Sequence, residues 1–260
     1  MRILLTNDDG IHAPGLRALY PQLRQLGEVT VIAPMHEQSA AGHSVTLHSP
    51  LIVQESFDET GVSIGYAVEG RPADCVKLAL LELLPQRPDL IVSGINAGSN
   101  AGINVLYSGT VAAAIEGAFF RCTSIAVSLD YENKPIPFIQ ASDYARQVIE
   151  QIIAYASPRE DHFGGLWNVN IPDLDKSKIR GIRLSPQNVS PYIEKFMRRT
   201  DPRGRTYFWM GNDFACPEPH PDTDESLLAE GFITITPLQF DLTNHRTLNQ
   251  LHENSRWKIS

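Results

Sequence analysis

Four residues near the start, Asn7-Asp8-Asp9-Gly10, carry the strongest chemical signal in the chain. They follow the apolar run Ile3-Leu4-Leu5 after a single threonine. That order reads as a buried strand whose carboxyl end delivers two adjacent carboxylates, with Gly10 allowing a sharp exit. In open α/β sheets ligands bind just past the carboxyl ends of the strands. Two carboxylates placed there side by side call for a hard divalent cation with oxygen ligands. A solvated turn is the competing reading, because Asn, Asp and Gly are common turn formers.

Three further segments weigh on the cation side. Residues 93–102, Ser-Gly-Ile-Asn-Ala-Gly-Ser-Asn-Ala-Gly, read as a glycine-rich loop after the apolar strand at 90–92. Such a loop lets backbone approach a ligand closely, and Asn96 and Asn100 offer neutral oxygens for a hard cation. It matches neither the dinucleotide fingerprint nor a Walker loop. Residues 107–114, Tyr-Ser-Gly-Thr-Val-Ala-Ala-Ala, place Ser108 or Thr110 as the cap of a helix starting near Val111. The free amides and partial positive charge of that N-terminus make Ser108, Gly109 and Thr110 a seat for phosphate. A plain cap that binds nothing is the alternative. Ser39 stands in the polar loop 35–48 after the second strand, at the same sheet edge as the acids, where its hydroxyl completes a cation site. His12 and His43 are the best placed acid–base candidates by position. No histidine has metal-pair spacing, and no Gly-x-Ser-x-Gly elbow is present.

The elements that position these groups follow from periodicity. Leu16, Leu19, Tyr20, Leu23 and Leu26 repeat every three to four residues behind Pro14 and end at Gly27, an amphipathic helix. A β-branched strand at 29–33 completes a βαβ unit, which favours a parallel sheet. The pattern predicts short strands near 51–54 and 63–68, a helix over 72–84 and a strand at 90–93. It continues with a helix over 111–120, a strand at 124–129, a helix over 141–156 and strands at 166–171 and 231–236. The expected division is a Rossmann-like core over about 1–186, an arm over 187–230, and a returning strand with a helix-capable tail over 231–260. The alternating patch Thr206-Tyr-Phe-Trp-Met210 after Asp201-Pro-Arg-Gly204 gives the arm its hairpin.

Bulk composition narrows the function classes. The 260 residues carry a net charge of −8 and 42% hydrophobic side chains. An acidic chain lacks the basic footprint that a nucleic-acid polymer requires. The three cysteines are widely spaced with no Cys-x-x-Cys, so neither a zinc site nor a disulfide framework is expected. The longest greasy stretch, 76–84, is broken by Lys77 and Glu82 and is too short to span a bilayer. With no signal peptide read at the start, the expectation is a soluble cytoplasmic protein.

Taken together the motifs resemble the SurE family of stationary-phase survival proteins, metal-dependent 5′-nucleotidases. The matching stretches are Asn-Asp-Asp-Gly at 7–10 with Ala-Pro-Gly at 13–15, Ala-Pro and Gln-Ser within 33–39, Pro-Ala-Asp-Cys-Val at 72–76, and Pro-Asp-Leu-Ile-Val-Ser-Gly-Ile-Asn-Ala-Gly at 88–98. Tyr-Ser-Gly-Thr at 107–110, Asp-Pro-Arg-Gly at 201–204, Thr-Asp at 223–224 and Ile-Thr-Pro-Leu at 235–238 also match, in order. Two positions depart from that resemblance: Ala40, where glycine is expected, and Arg71, where threonine is expected.

The resemblance implies an α/β, Rossmann-like three-layer fold with a mostly parallel sheet, a protruding hairpin arm and a C-terminal segment used in oligomerisation. It implies that Asp8, Asp9, Ser39 and Asn96 bind one divalent cation per subunit, for which Mg²⁺ or Mn²⁺ suits the hard oxygen ligands. Asp8 is the expected catalytic group that orients or deprotonates the attacking water. Asn96, Ser108, Gly109 and Thr110 would then meet the phosphate. Homodimers or homotetramers are implied, with exchange beginning near Asp241 and His245. The expected activity is hydrolysis of nucleoside 5′-monophosphates, extending to 3′-nucleotides and short polyphosphate. A non-catalytic nucleotide-binding or sensing protein on the same fold is the main alternative, and a metal-dependent glycosyltransferase-like enzyme is a third.

Overall fold

Strand β1 (Arg2–Thr6) runs through the interior of a nine-stranded sheet between parallel partners β2 (Glu28–Pro34) and β5 (Leu90–Ala97). Its side chains alternate as a strand requires: Ile3 and Leu5 enter one core and Leu4 the other. The computed structural model describes residues 1–58, 60–131, 136–156, 165–193, 195–210, 216 and 218–254. Beyond β2 lie the parallel strand β4 (Ser63–Val68) and the antiparallel edge strand β3 (Val53–Phe57). Beyond β5 lie β6 (Thr123–Asp130) and β7 (Leu166–Pro172), both parallel. The sheet closes with β11 (Ile233–Leu238), antiparallel to β7, and the short edge strand β8 (Ile182–Leu184).

Helices cover both faces. Helix α1 (Pro14–Leu23) sends Leu16, Leu19 and Leu23 into the core shared with Ile3 and Leu5. Helix α4 (Phe138–Ala156) packs beside it through Tyr144, Val148 and Ile152. On the other face, α2 (Pro72–Leu78) and α3 (Gly109–Phe119) meet over Leu4 and Ile32, with Cys75, Val76 and Ala113 between them. The buried alanines of α3, Ala112, Ala113, Ala114 and Ala118, let it lie close to the sheet. The α/β architecture, the mostly parallel sheet and the hairpin therefore agree with the expectation.

Several boundaries differ from the sequence reading. Strand β5 does not stop at residue 93 but continues to Ala97, so Asn96 sits on a strand and not in a loop. Gly94 makes this possible. It has φ +139°, and a Cβ there would lie 2.3 Å from the Val127 carbonyl oxygen of the neighbouring strand. The pairing of β5 with β6 is irregular between Ser93 and Asn96, where that close approach occurs. The helix read over 72–84 is regular only to Leu78 and finishes in a wider π turn at Ala79–Leu83. Strand β3 lies two residues later than expected, because Val53 pairs with Val68.

The hairpin consists of β9 (Phe196–Thr200) and β10 (Thr206–Met210), with Tyr207 opposite Arg199 and Trp209 opposite Met197. Asp201 closes its turn by accepting from the backbone N–H of Arg203 and of Arg205. Helix α5 (Asp224–Ala229), unforeseen in the sequence reading, packs against β11 and β7 at the sheet edge. Helix α6 (His245–Asn254) follows β11, and the rest of the tail lies outside the described residues. No helix among the described residues is long and apolar enough to cross a membrane.

Gly94→Ala tests the β5 irregularity. The added methyl meets backbone at a disallowed φ, so it is expected to cost about 2 kcal/mol or more of stability, read by denaturant unfolding. A variant as stable as wild type would show that β5 does not need the close approach.

Candidate metal and phosphate site

The acid turn is built by its first residue. Asn7 is fully buried; its Nδ2 donates to the Gly10 carbonyl at 2.9 Å and its Oδ1 accepts from the Gly10 N–H at 3.2 Å. This staple folds residues 7–10 back on themselves at the carboxyl end of β1 and leaves Asp8 and Asp9 to project. Asp8 points to the α3 side. The Thr110 hydroxyl donates to Asp8 Oδ1, and the Thr110 backbone N–H also reaches the carboxylate. Asp9 receives the backbone N–H of Ala97, at the end of β5.

Helix α3 starts so close to Asp8 that only glycine fits. A Cβ on Gly109 would lie 2.8 Å from Asp8 Cβ and 2.9 Å from its Oδ2. Ser108 caps the helix by accepting from the Val111 N–H at 3.1 Å. Of the three residues expected at a phosphate seat, Thr110 is thus committed to Asp8 and Ser108 to its own helix. The Gly109 N–H keeps no partner among the described residues.

The loop carrying Ser39 reaches the same place. Gln38 N–H donates to the Asp8 carbonyl at 2.7 Å, which brings residue 38 into direct contact with the acid turn. Ser39 itself is exposed, and its hydroxyl donates to Glu37 Oε1 at 2.5 Å. Asn96, on β5, donates from Nδ2 to the Gly98 carbonyl at 2.7 Å, which fixes the plane of its amide. The neighbouring candidate Asn100 does something else. It is buried against β6 and β7, where its N–H meets Asn170 Oδ1 at 2.8 Å and its carbonyl accepts from Asn168 Nδ2 at 2.8 Å. Its own Nδ2 donates to Ser128 Oγ at 2.7 Å. Asn100 is a pin for the loop, not an oxygen donor to a cation.

Neither favoured histidine bonds the acids. His12 Nε2 pairs with Ser56 Oγ at 3.3 Å. His43 Nε2 bonds Glu116 Oε2 at 2.8 Å and its ring stacks on Phe119. Lys77 Nζ takes the other Glu116 oxygen at 2.9 Å. Glu116 was passed over in the sequence reading, although one charge within Ala-Ala-Ala-Ile-Glu-Gly-Ala-Phe is a readable anomaly. Asp224, which enters the sequence analysis only as part of the Thr-Asp match at 223–224, has a structural role as well. It is fully buried and accepts from the N–H of Gly102 at 2.9 Å and of Asn188 at 2.8 Å, so it holds the far end of the glycine-rich loop.

Electrostatics at the turn oppose ionisation of both acids. Burial pushes Asp9 up to about 6, and the charges of Asp8 and Glu37 push the same way against the Ala97 N–H. Burial also raises Asp8, opposed by its hydrogen bonds from Thr110. The candidate donors, two carboxylates with the Ser39 hydroxyl and the Asn96 amide oxygen, are of the kind that suits a hard cation such as Mg²⁺ or Mn²⁺. Among the described residues there is no group of three or more His, Cys, Asp and Glu side chains suited to a metal. The neutral oxygens of Ser39 and Asn96 are what would complete the shell.

Comparison with known proteins identifies the family. The family model described as "Survival protein SurE" matches residues 3–194. The chain belongs to the SurE family. A SurE relative from Rhodopirellula baltica, named 5′-nucleotidase SurE, is 50% identical over 254 residues, covering 97% of this chain and 98% of its own. Another of the same name from Moorella thermoacetica is 45% identical over 251 residues, covering 96% and 95%. The crystal structure of the SurE protein from Aquifex aeolicus superposes with a TM-score of 0.82 at 34% identity, covering 97% of this chain and 99% of that one. The SurE match thus extends across the acid turn, the Ser39 loop, the strand bearing Asn96 and the start of α3.

The raised carboxyls give a signed pH prediction. A folded-state value of about 6 for Asp9, above its ordinary 3.8, means the metal-free fold prefers the protonated acid. Its contribution to stability is therefore greatest below the ordinary value and falls as pH rises towards about 6. A cation that binds the ionised pair offsets that loss. Mg²⁺ or Mn²⁺ is expected to raise the thermal midpoint clearly at pH 7.5 and hardly at pH 5, with the rise abolished in Asp9→Asn. An equal rise at both pH values would detach the cation from this acid pair.

Proposed function

We propose that this chain is a divalent-cation-dependent 5′-nucleotidase that hydrolyses nucleoside 5′-monophosphates to nucleoside and phosphate. The observation that carries the reading is the convergence of Asp8, Asp9, the Ser39 loop and the α3 N-terminus at one sheet edge. The names of the relatives support the substrate class. Asp8, Asp9, Ser39 and Asn96 are the residues that would hold one Mg²⁺ or Mn²⁺. Bound there, the cation supplies Lewis-acid polarisation of a phosphoryl oxygen and a lowered pKa for attacking water.

The protein's own groups divide the remaining work. Asp8 Oδ1 accepts from the Thr110 hydroxyl, which fixes the carboxylate that would orient the attacking water. The Gly109 N–H, at the positive end of α3, and the Asn96 amide stabilise charge on the equatorial phosphoryl oxygens. Thr110, expected to touch phosphate, acts in this reading by fixing Asp8. The same chemistry extends to 3′-nucleotides and short polyphosphate, since the reacting group is a terminal phosphoryl in each. The alternative of a nucleotide-binding protein without turnover would leave an acid pair with no task.

Assembly and location belong to the same proposal. The hairpin exposes Phe196, Phe208 and Trp209 at 58–61% without covering them within the chain, and α6 exposes Leu248 and Leu251. A homodimer or homotetramer that buries these surfaces accounts for them. Its three cysteines are unpaired, which fits a reducing cytoplasm.

Two outcomes test the reading. Phosphate release from AMP is expected to need Mg²⁺ or Mn²⁺, to vanish with EDTA, and to fall by about a thousandfold or more in Asp8→Asn, in line with loss of a catalytic carboxylate. Metal binding with full activity in Asp8→Asn would defeat the assigned role. Replacing residues 196–210 by a short Gly-Ser linker is expected to lower the mass found by analytical ultracentrifugation. An unchanged mass would take the hairpin out of the assembly.

A further inference from the structure

The guanidinium of Arg71 stands at the rim of the acid turn with most of its donors uncommitted. Arg71 is exposed, and its Nη1 donates to Gln38 Oε1 at 2.6 Å. Among the described residues it forms no ion pair. Its base is fixed too. The Arg71 N–H donates to Asp74 Oδ2 at 2.8 Å, and Asp74 also accepts from the Thr46 N–H at 3.0 and 3.1 Å, which ties the helix start to the loop above it. Gln38 in turn donates its N–H to the Asp8 carbonyl at 2.7 Å. One glutamine therefore separates a positioned, unneutralised cation from the reaction centre.

A solvated arginine would be an ordinary sight on a protein surface. This one is held at both ends, is oriented by a neutral amide and stands in a chain of net charge −8. Its one side-chain partner, Gln38, is neutral, so its charge is not spent on an acid. A guanidinium with free N–H groups matches phosphate oxygens in a bidentate fork.

We propose that Arg71 is a specificity-determining residue that binds a second phosphate on the substrate, next to the phosphoryl group held at the Asp8–Asp9 turn. The ligand class is a phosphate ester or anhydride with two or more phosphates. The second phosphate comes either from the sugar, as in a nucleoside 3′,5′-bisphosphate, or from a phosphate chain. This rests on the phosphatase reading above. The contact to the reacting phosphate is left to the cation, Asn96 and Gly109, because Arg71 reaches Gln38 and not the acids.

The test uses the intact protein with Mg²⁺ or Mn²⁺. Phosphate release is measured from AMP, adenosine 3′,5′-bisphosphate and tripolyphosphate, for wild type, Arg71→Thr and Arg71→Lys. Threonine is a good cap and keeps the backbone bond to Asp74, so the fold is retained. The ratio of kcat/KM for a two-phosphate substrate to that for AMP is expected to fall about tenfold in Arg71→Thr, the scale of one charge-assisted hydrogen bond, with part restored in Arg71→Lys. A fall for the bisphosphate alone assigns the second phosphate to the sugar, and a fall for tripolyphosphate alone assigns it to a chain. A ratio within about twofold of wild type for both substrates overturns the proposal. Calorimetric binding of tripolyphosphate separates this from the nucleotidase reading. If wild type hydrolyses nothing, the nucleotidase reading falls, while affinity about tenfold weaker in Arg71→Thr still upholds Arg71 and equal affinity overturns it.

Discussion

Two like charges held side by side in a half-dry turn are the constraint on which the rest of this structure depends. Burial raises the carboxyls of both Asp8 and Asp9, and the neighbouring Asp8 charge raises Asp9 further. Left to itself a turn of this kind would open until water screened the acids. It cannot open, because neighbours from separate parts of the chain grip it. Asn7 staples it internally, Gln38 holds the Asp8 carbonyl, Ala97 holds the Asp9 carboxyl and Thr110 holds that of Asp8. The cost of placing the acids is carried by backbone and amide contacts, so the carboxylates arrive already positioned for whatever positive charge enters.

Those grips arrive at one point because the strands are parallel. β2, β1 and β5 are adjacent and point the same way, so the loops leaving their carboxyl ends gather at one edge. The long connection from β5 to α3 needs more than topology, since its two ends carry Asn96 and Gly109. Asn168 and Asn170, two residues apart on one face of β7, bond the backbone carbonyl and the backbone N–H of Asn100. Asp224, the first residue of α5, takes the Gly102 N–H. A flexible glycine-rich sequence is thereby given one height above the sheet. The sheet edge that supplies Asp224 comes from near the C-terminus, so the site draws on almost the whole chain.

What the sequence disclosed about the site was its local part. Asp8, Asp9, Gly10 and the cap at Ser108 are legible because each owes its role to residues beside it. The apolar run Ile3-Leu4-Leu5 and the repeat of Leu16, Leu19 and Leu23 declare the βαβ core for the same reason. What stayed hidden depends on partners far along the chain. Asn100 looked like a ligand because its oxygen suits a cation, but its fate is set by Asn168 and Asn170, some seventy residues away. The length of β5 was hidden because Gly94 reads as a loop residue until Val127 is seen beside it. The short strand β8 and helix α5 carried too little periodicity to register, and they exist because β11 gives them an edge to pack on.

Glu116 shows how such distant partners decide a role. Burial alone would drive its carboxyl upward, yet the bonds from His43 and Lys77 outweigh this and hold it below its ordinary value. A buried ion pair is weak evidence for stability, because an apolar cluster of the same volume often serves as well. An apolar cluster, however, would not specify which residue of the loop 35–48 must sit over α3. The Glu116 carboxylate does specify it: one oxygen takes His43 from that loop and the other takes Lys77 from α2. At the other end of the same loop Gln38 is fixed on Asp8, and Gly42 donates its N–H to the Tyr107 carbonyl at 3.0 Å. Ser39 and its short neighbours span the gap between these anchors. The charge within α3 therefore sets the register of the loop that carries Ser39, and it does so from the helix whose first residues hold Asp8.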